Sequence, residues 1–181
     1  MDAAVSCDAD GSPWRAELRC AYIPDGISEI EVLSPETIAG VRAALDNGNW
    51  YLRFDGKALD AGTVSRERIS PAACLPRLMD ALRNGWLLEE NQEEWNGIPC
   101  MRLALDQTGT QTEKIYSTLW LRRDNGAPLR GEISVDGETV LTAEFTSFAF
   151  YDTIGETPPE AAGKENGIGR NGNPAADMGG N

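Results

Sequence analysis

Apolar residues recur at every second position along much of this chain. Trp14, Ala16, Leu18, Cys20 and Tyr22 alternate with Arg15, Glu17, Arg19 and Ala21, and Ile30 and Val32 alternate with Glu29 and Glu31. "NWYLRF" sets Trp50, Leu52 and Phe54 on one face and Tyr51 and Arg53 on the other. Met101, Leu103 and Leu105 oppose Arg102, while Leu129, Ile133 and Val135 oppose Arg130, Glu132 and Ser134. Period two marks a strand with one face buried, so each segment is a predicted strand. In "TVLTAEFTSFAFY", Leu141, Ala143 and Phe145 share a face before the apolar set shifts to Phe148 and Phe150. A β-bulge near Thr146 and Ser147 would produce that shift.

Short turn sequences separate these runs: Asp46-Asn-Gly-Asn49, Asp55-Gly56, Asp124-Asn-Gly126 and Asp136-Gly137. Turns this short join antiparallel neighbours, because parallel strands need a long crossover. "PETIAGVRAALDNGN" suits a helix after Pro35 or a strand, and the adjoining turn and "NWYLRF" favour the strand. One segment is helical. In "SPAACLPRLMDALRNGW", Ser70 reads as the N-cap, Pro71 as the first helical position and Gly85 as the C-terminal cap. Cys74, Leu75, Leu78, Met79 and Leu82 form one apolar stripe, and Pro76 delays the regular helix. Such a helix packs on a sheet as core or covers a cavity as a lid, and both bury the same face.

At least eight one-sided strands with one helix define a mainly β protein. An antiparallel sheet of that size curls, splits or closes. The strands either bury their faces on each other in a closed barrel or sandwich, or line a half-open barrel filled partly by the helix. Tryptophans stand at 14, 50, 86, 95 and 120, with Trp14 and Trp50 on the apolar sides. Folded structure is expected over 1–153. From 154 to 181 the chain is rich in Gly, Pro and Asn, with little to bury, and reads as a disordered tail. Gly167, Gly169 and Gly172 spell GxGxxG there, but without a leading strand or a receiving helix the spacing carries no nucleotide chemistry.

Composition narrows the function. With 16 basic against 29 acidic residues in 181, the net charge is −13, and no basic patch extends beyond Arg122 and Arg123. Nucleic acid is therefore not an expected partner. There is no histidine, which removes Ser-His-Asp and Cys-His nucleophile pairs and His-based metal sites. Cys7, Cys20, Cys74 and Cys100 lack any CxxC spacing; four cysteines permit three pairings, and buried thiols are the simpler reading for Cys20, Cys74 and Cys100, each in an apolar pattern. "DADG" at 8–11 lacks the rest of a calcium loop, and Glu89, Glu90, Glu93 and Glu94 read as a solvated turn. No catalytic residue, metal or cofactor is expected. No run approaches 18 apolar residues, and Cys7 lacks the apolar run that precedes a lipid-attachment cysteine. The start resembles no signal peptide, which suits either a cytosolic protein or a mature form with its export signal removed.

Taken together, "VLSPETIAG" (32–40), "YLRFDGKALD" (51–60), "ISPAACLPRLMDAL" (69–82), "WNGIPCMRLAL" (95–105) and the stretch from Leu119 to Phe150 resemble the LolA, LolB and RseB-like lipoprotein-carrier superfold. More narrowly they resemble clostridial lipoproteins related to the germination lipoprotein GerS. The resemblance covers about 140 residues of fold-level pattern. It implies a curved antiparallel half-barrel of about 8–11 strands, with the helix on or over its concave face. It also implies a concave wall of Leu119, Leu129, Ile133, Val135, Leu141 and Phe145 under the helical Leu75, Leu78, Met79 and Leu82. Trp14, Leu18, Ile30, Val32, Trp50, Leu52, Met101 and Leu103 would extend that wall. The carriers' polar lid-locking residues have no counterpart that the sequence identifies.

Two functions follow. The first is an extracytoplasmic lipoprotein-type protein holding a lipid, acyl chain or other apolar ligand in the cavity. The second is a non-enzymatic envelope scaffold or chaperone-like protein whose cavity is filled and whose partner is a protein. In either, contact with the membrane would come only through a lipid anchor.

Overall fold

The computed structural model describes residues 1–9, 12–46, 49–54, 57–63, 71–110 and 112–151; for 8, 9, 12, 50, 53, 54 and 57–63 it describes the backbone alone. The expected tail at 154–181, with its GxGxxG, lies outside the described residues, as do Asp10, Gly11 and the Asp55-Gly56 turn. Met1 to Ala149 form one compact unit, and Phe150 and Tyr151 belong to a second.

Among the described residues eleven strands are formed in chain order: β1 (Asp2–Ala9), β2 (Ser12–Ala21), β3 (Ser28–Ser34), β4 (Arg42–Asp46), β5 (Asn49–Phe54), β6 (Lys57–Thr63), β7 (Trp86–Trp95), β8 (Ile98–Asp106), β9 (Ile115–Arg122), β10 (Pro128–Val135) and β11 (Glu138–Ser147). The helix α1 (Cys74–Asn84) follows a 3-10 turn at Pro71–Ala73. All eleven strands pair antiparallel in one open sheet ordered β6-β5-β4-β3-β2-β1-β11-β10-β9-β8-β7. The result is a curved half-barrel, as the resemblance implies, and the closed barrel or sandwich that the one-sided strands also allowed is not formed. Two meanders run outward from the centre, and the β1–β11 pair joins them through Val5 opposite Ala143 and Cys7 opposite Leu141.

The bulge falls where the apolar pattern places it. Asp2 pairs with Ser147 and Ala3 with Phe145, leaving Thr146 as the extra residue. Of the ambiguous segment, 42–46 is strand β4, and Pro35 to Gly40 forms turns after a cis Ser34–Pro35 bond.

Two expectations change. The glutamates at 89–94 are not a turn: they belong to β7, which pairs with β8 along its whole length through a tight turn at Asn96-Gly97. Both turn residues have positive φ, 51° and 80°, as a hairpin turn of this size requires. The helix also begins at Cys74, with Ala73 at its cap and no side-chain hydrogen bond there. Ser70 lies outside the described residues. Pro76 is tolerated because it stands in the first turn, whose N–H groups have no intrahelical acceptor.

Gly85 does cap the helix, its N–H donating to the Ala81 carbonyl at 2.8 Å. Its φ of −70° is ordinary, so conformation does not demand glycine here. Space does: a Cβ would lie 2.5 Å from the Ala81 oxygen and 3.1 Å from Leu105 Cβ.

Candidate functional site

The helix sinks into the concave face over β8, β9, β10 and β11. Strand register sets the small residues Gly131 and Ala143 side by side, with Leu119 across from Gly131. Leu78 fills the hollow, and a Cβ on Gly131 would meet its Cδ1 at 2.5 Å and its Cδ2 at 3.0 Å. Cys74, Leu75, Leu78 and Ala81 are wholly buried against Val5, Leu119, Ile133 and Ala143. One polar tie crosses this apolar layer. Ser117, itself fully buried, donates to Gln107 Oε1 at 2.6 Å, and Gln107 Nε2 donates to the Arg77 carbonyl of α1 at 3.1 Å. That bridge satisfies groups which would be costly to bury alone.

The sequence-predicted wall residues divide into five groups. Leu18, Ile30, Leu75, Leu78, Met79, Leu119, Ile133 and Leu141 are buried in the core. Trp14, Val32, Leu82, Leu103, Val135 and Phe145 are partly buried and pack around it. Met101 and Leu129 are partly buried outside that cluster, and Leu52 is exposed. Trp50 lies on β5 with its side chain outside the described residues.

Two cavities, of about 370 and 270 Å³, open elsewhere on the sheet. The larger is bordered by Ala4, Ser6, Arg15, Glu17, Ser34, Pro35 and Glu144, and the smaller lies by Trp14, Val140 and Leu141. Neither lining includes a residue of α1.

The far end of α1 is tied to the β2–β3 turn, a contact the sequence reading missed. Tyr22 donates its hydroxyl to the Asp80 carboxylate, and Arg83 makes an ion pair with Asp25 at 2.8 Å. Burial pushes the Tyr22 phenol above its usual range, and the hydrogen bond to Asp80 adds to the rise. The Arg83 guanidinium holds the exposed Asp25 carboxyl below its usual range. Tyr22→Phe keeps the ring and removes the tie, and should lower stability by about 1 kcal/mol in urea unfolding. An unchanged midpoint would show that water replaces the bond at no loss.

The opposite, convex face carries a second cluster. Trp95 and Trp120 stand 5.8 Å apart, with Arg130 4.6 Å from the Trp95 ring and Arg102 5.8 Å from the Trp120 ring. Glu132 pairs with Arg130 at 2.6 Å, and Glu93 accepts the Trp120 Nε1–H at 2.9 Å. These aromatics cover the outside of the sheet, over strands whose alternation had marked only the inner face as apolar.

All four cysteines are buried thiols. Desolvation pushes Cys20 up to about 12 and Cys74 further, so neither is a nucleophile at neutral pH.

The site is thus an apolar half-barrel floor closed by its own helix. No family model matches the chain, and no curated protein does. Among solved structures it is similar to a LolA superfamily protein from Nitrosomonas europaea, at 14% identity and TM-score 0.48, covering 83% of this chain and 70% of that one. It is also similar to a chain in the complex of the CwlD amidase with the GerS lipoprotein from Clostridioides difficile, at 16% identity and TM-score 0.47, covering 83% and 85%. LprF from Mycobacterium bovis matches at 15% identity and TM-score 0.41, covering 79% and 81%. These likenesses concern the fold alone.

Proposed function

We propose that this chain is a non-enzymatic cell-envelope binding protein that works through a protein partner, with its half-barrel filled by its own side chains. The observation that carries this reading is the seating of Leu78 against Gly131, with Leu75, Leu119 and Ile133 fully buried around it. An acyl chain needs a continuous cavity of several hundred Å³ beneath the helix. Here that space is occupied, and a lipid would enter only if α1 left the sheet and exposed its apolar stripe. The envelope location rests on the resemblance carried by the segments between Val32 and Phe150.

Native mass spectrometry of the purified chain tests the reading, before and after incubation with phosphatidylglycerol vesicles. The expected result is the bare polypeptide mass in both samples. A stoichiometric lipid adduct in either would overturn the filled-barrel reading and favour a carrier whose helix opens as a lid.

A further inference from the structure

We infer that the free edge of β7 is the docking site for an extended, basic segment of another protein, which adds to the sheet as a twelfth strand. The inference rests on the protein-partner reading above and assigns the surface and chemistry of that contact. Among the described residues β7 ends the sheet and pairs only with β8. Its ten residues therefore leave a row of outward backbone N–H and C=O groups available for a further strand.

An edge this long is ordinarily blunted, because it invites indiscriminate pairing. This one opens instead with three exposed apolar residues: Trp86, Leu87 and Leu88 are 76%, 49% and 54% accessible. The register shifts between Leu87 and Glu89, so Leu88 is the extra residue that widens the apolar end. The rest is acidic. Glu89 and Glu93 are already engaged, by Arg102 at 2.9 Å and by the Trp120 indole. Glu90 and Glu94 lie on the other face, opposite Leu103 and Pro99, where no described cation pairs with them.

Charge decides the occupant. A second copy of the chain would bring its own acidic β7 against this one, and each copy carries a net charge of −13. A partner strand with Lys or Arg four residues apart would neutralise Glu90 and Glu94. Its apolar end would then cover Trp86, Leu87 and Leu88. In antiparallel pairing the cationic part comes first in the partner sequence and the apolar part last.

The test uses the full chain and a labelled ten-residue peptide that alternates lysine and threonine and ends in Val-Trp-Val. A matched peptide with proline in place of a central threonine keeps the charge but cannot pair as a strand. Fluorescence anisotropy measures affinity, and hydrogen exchange locates the protected amides. Glu90→Lys with Glu94→Lys should weaken binding about tenfold. Glu36→Lys with Glu138→Lys, an equal charge change at exposed positions outside β7, should weaken it less than about twofold. Slowed exchange should appear on β7, and the proline peptide should not bind. Equal loss from both charge-reversed pairs, equal binding of the proline peptide, protection away from β7, or no binding at all would each overturn the inference. The lipid experiment reads the space beneath α1 and not the β7 edge, so failure here leaves the filled barrel standing, and a lipid adduct there leaves this edge to be judged by its own result.

Discussion

Gly131→Val should cost the fold about 3 kcal/mol, near the upper end for overpacking a well-filled core. The strand itself would welcome a β-branched residue, and Gly131 has no positive φ to preserve. The cost arises because the first added carbon already lies 2.5 Å from Leu78, whose side chain is fully buried and has nowhere to retreat. Leu78→Ala alone should cost about 3 kcal/mol through the cavity it leaves. The two changes together should cost well under their sum, because the valine methyls enter the space that Leu78 vacates. Urea unfolding of the four proteins measures this coupling. Strict additivity would mean that α1 is not seated on Gly131 in solution.

Raising the pH from 7.5 to 10 should remove roughly 3 to 4 kcal/mol of stability, through Cys20 and Cys74. The unfolded thiols ionise near pH 8.5, whereas desolvation holds Cys20 up to about 12 and Cys74 higher still. Below the unfolded value both states keep their protons and the difference vanishes. Above it the unfolded chain sheds protons that the folded chain retains, so stability falls with rising pH. Each thiol contributes a slope of about 1.4 kcal/mol per pH unit. Tyr22, raised by burial and Asp80, pulls the same way only above about pH 10. Unfolding midpoints measured in reductant at the two pH values test this, with Cys20→Ala plus Cys74→Ala as the comparison. If that variant loses as much as the parent, the thiols are not the cause.

How far the sequence reading reached depends on how each segment is solvated. The alternations at Trp14–Tyr22 and Glu29–Val32 were readable because one face of each strand meets the core and the other meets water. β7 was misread because both of its faces are largely exposed, so no period-two apolar signal exists. Asn96-Gly97 was the available clue, a hairpin signal strong enough to have placed strands on both sides of it. The helical stripe was equally plain, yet its start slipped from Pro71 to Cys74 because the turn at Pro71–Ala73 is of the 3-10 kind.

The candidate wall held no information about what fills the space between its residues. Leu52 and Met101 point the same way as the rest by parity, yet neither packs into the cluster beneath the helix.

By itself the sequence determined a mainly β, antiparallel, acidic protein with one amphipathic helix, because burial periodicity, turn chemistry and charge are local properties written residue by residue. Only the tertiary structure decided that Gly131, Ala143 and Ser117 lie beneath Leu78 and its neighbours, that Tyr22 reaches Asp80, and that the segment from Trp86 to Trp95 is an edge strand of the described sheet. Those facts depend on strand order and register, which bring together residues up to about 140 positions apart, as Ala3 and Phe145 are. A glycine in "LRGEISV" looks like a gap until the strand beside it and the helix above it are in place.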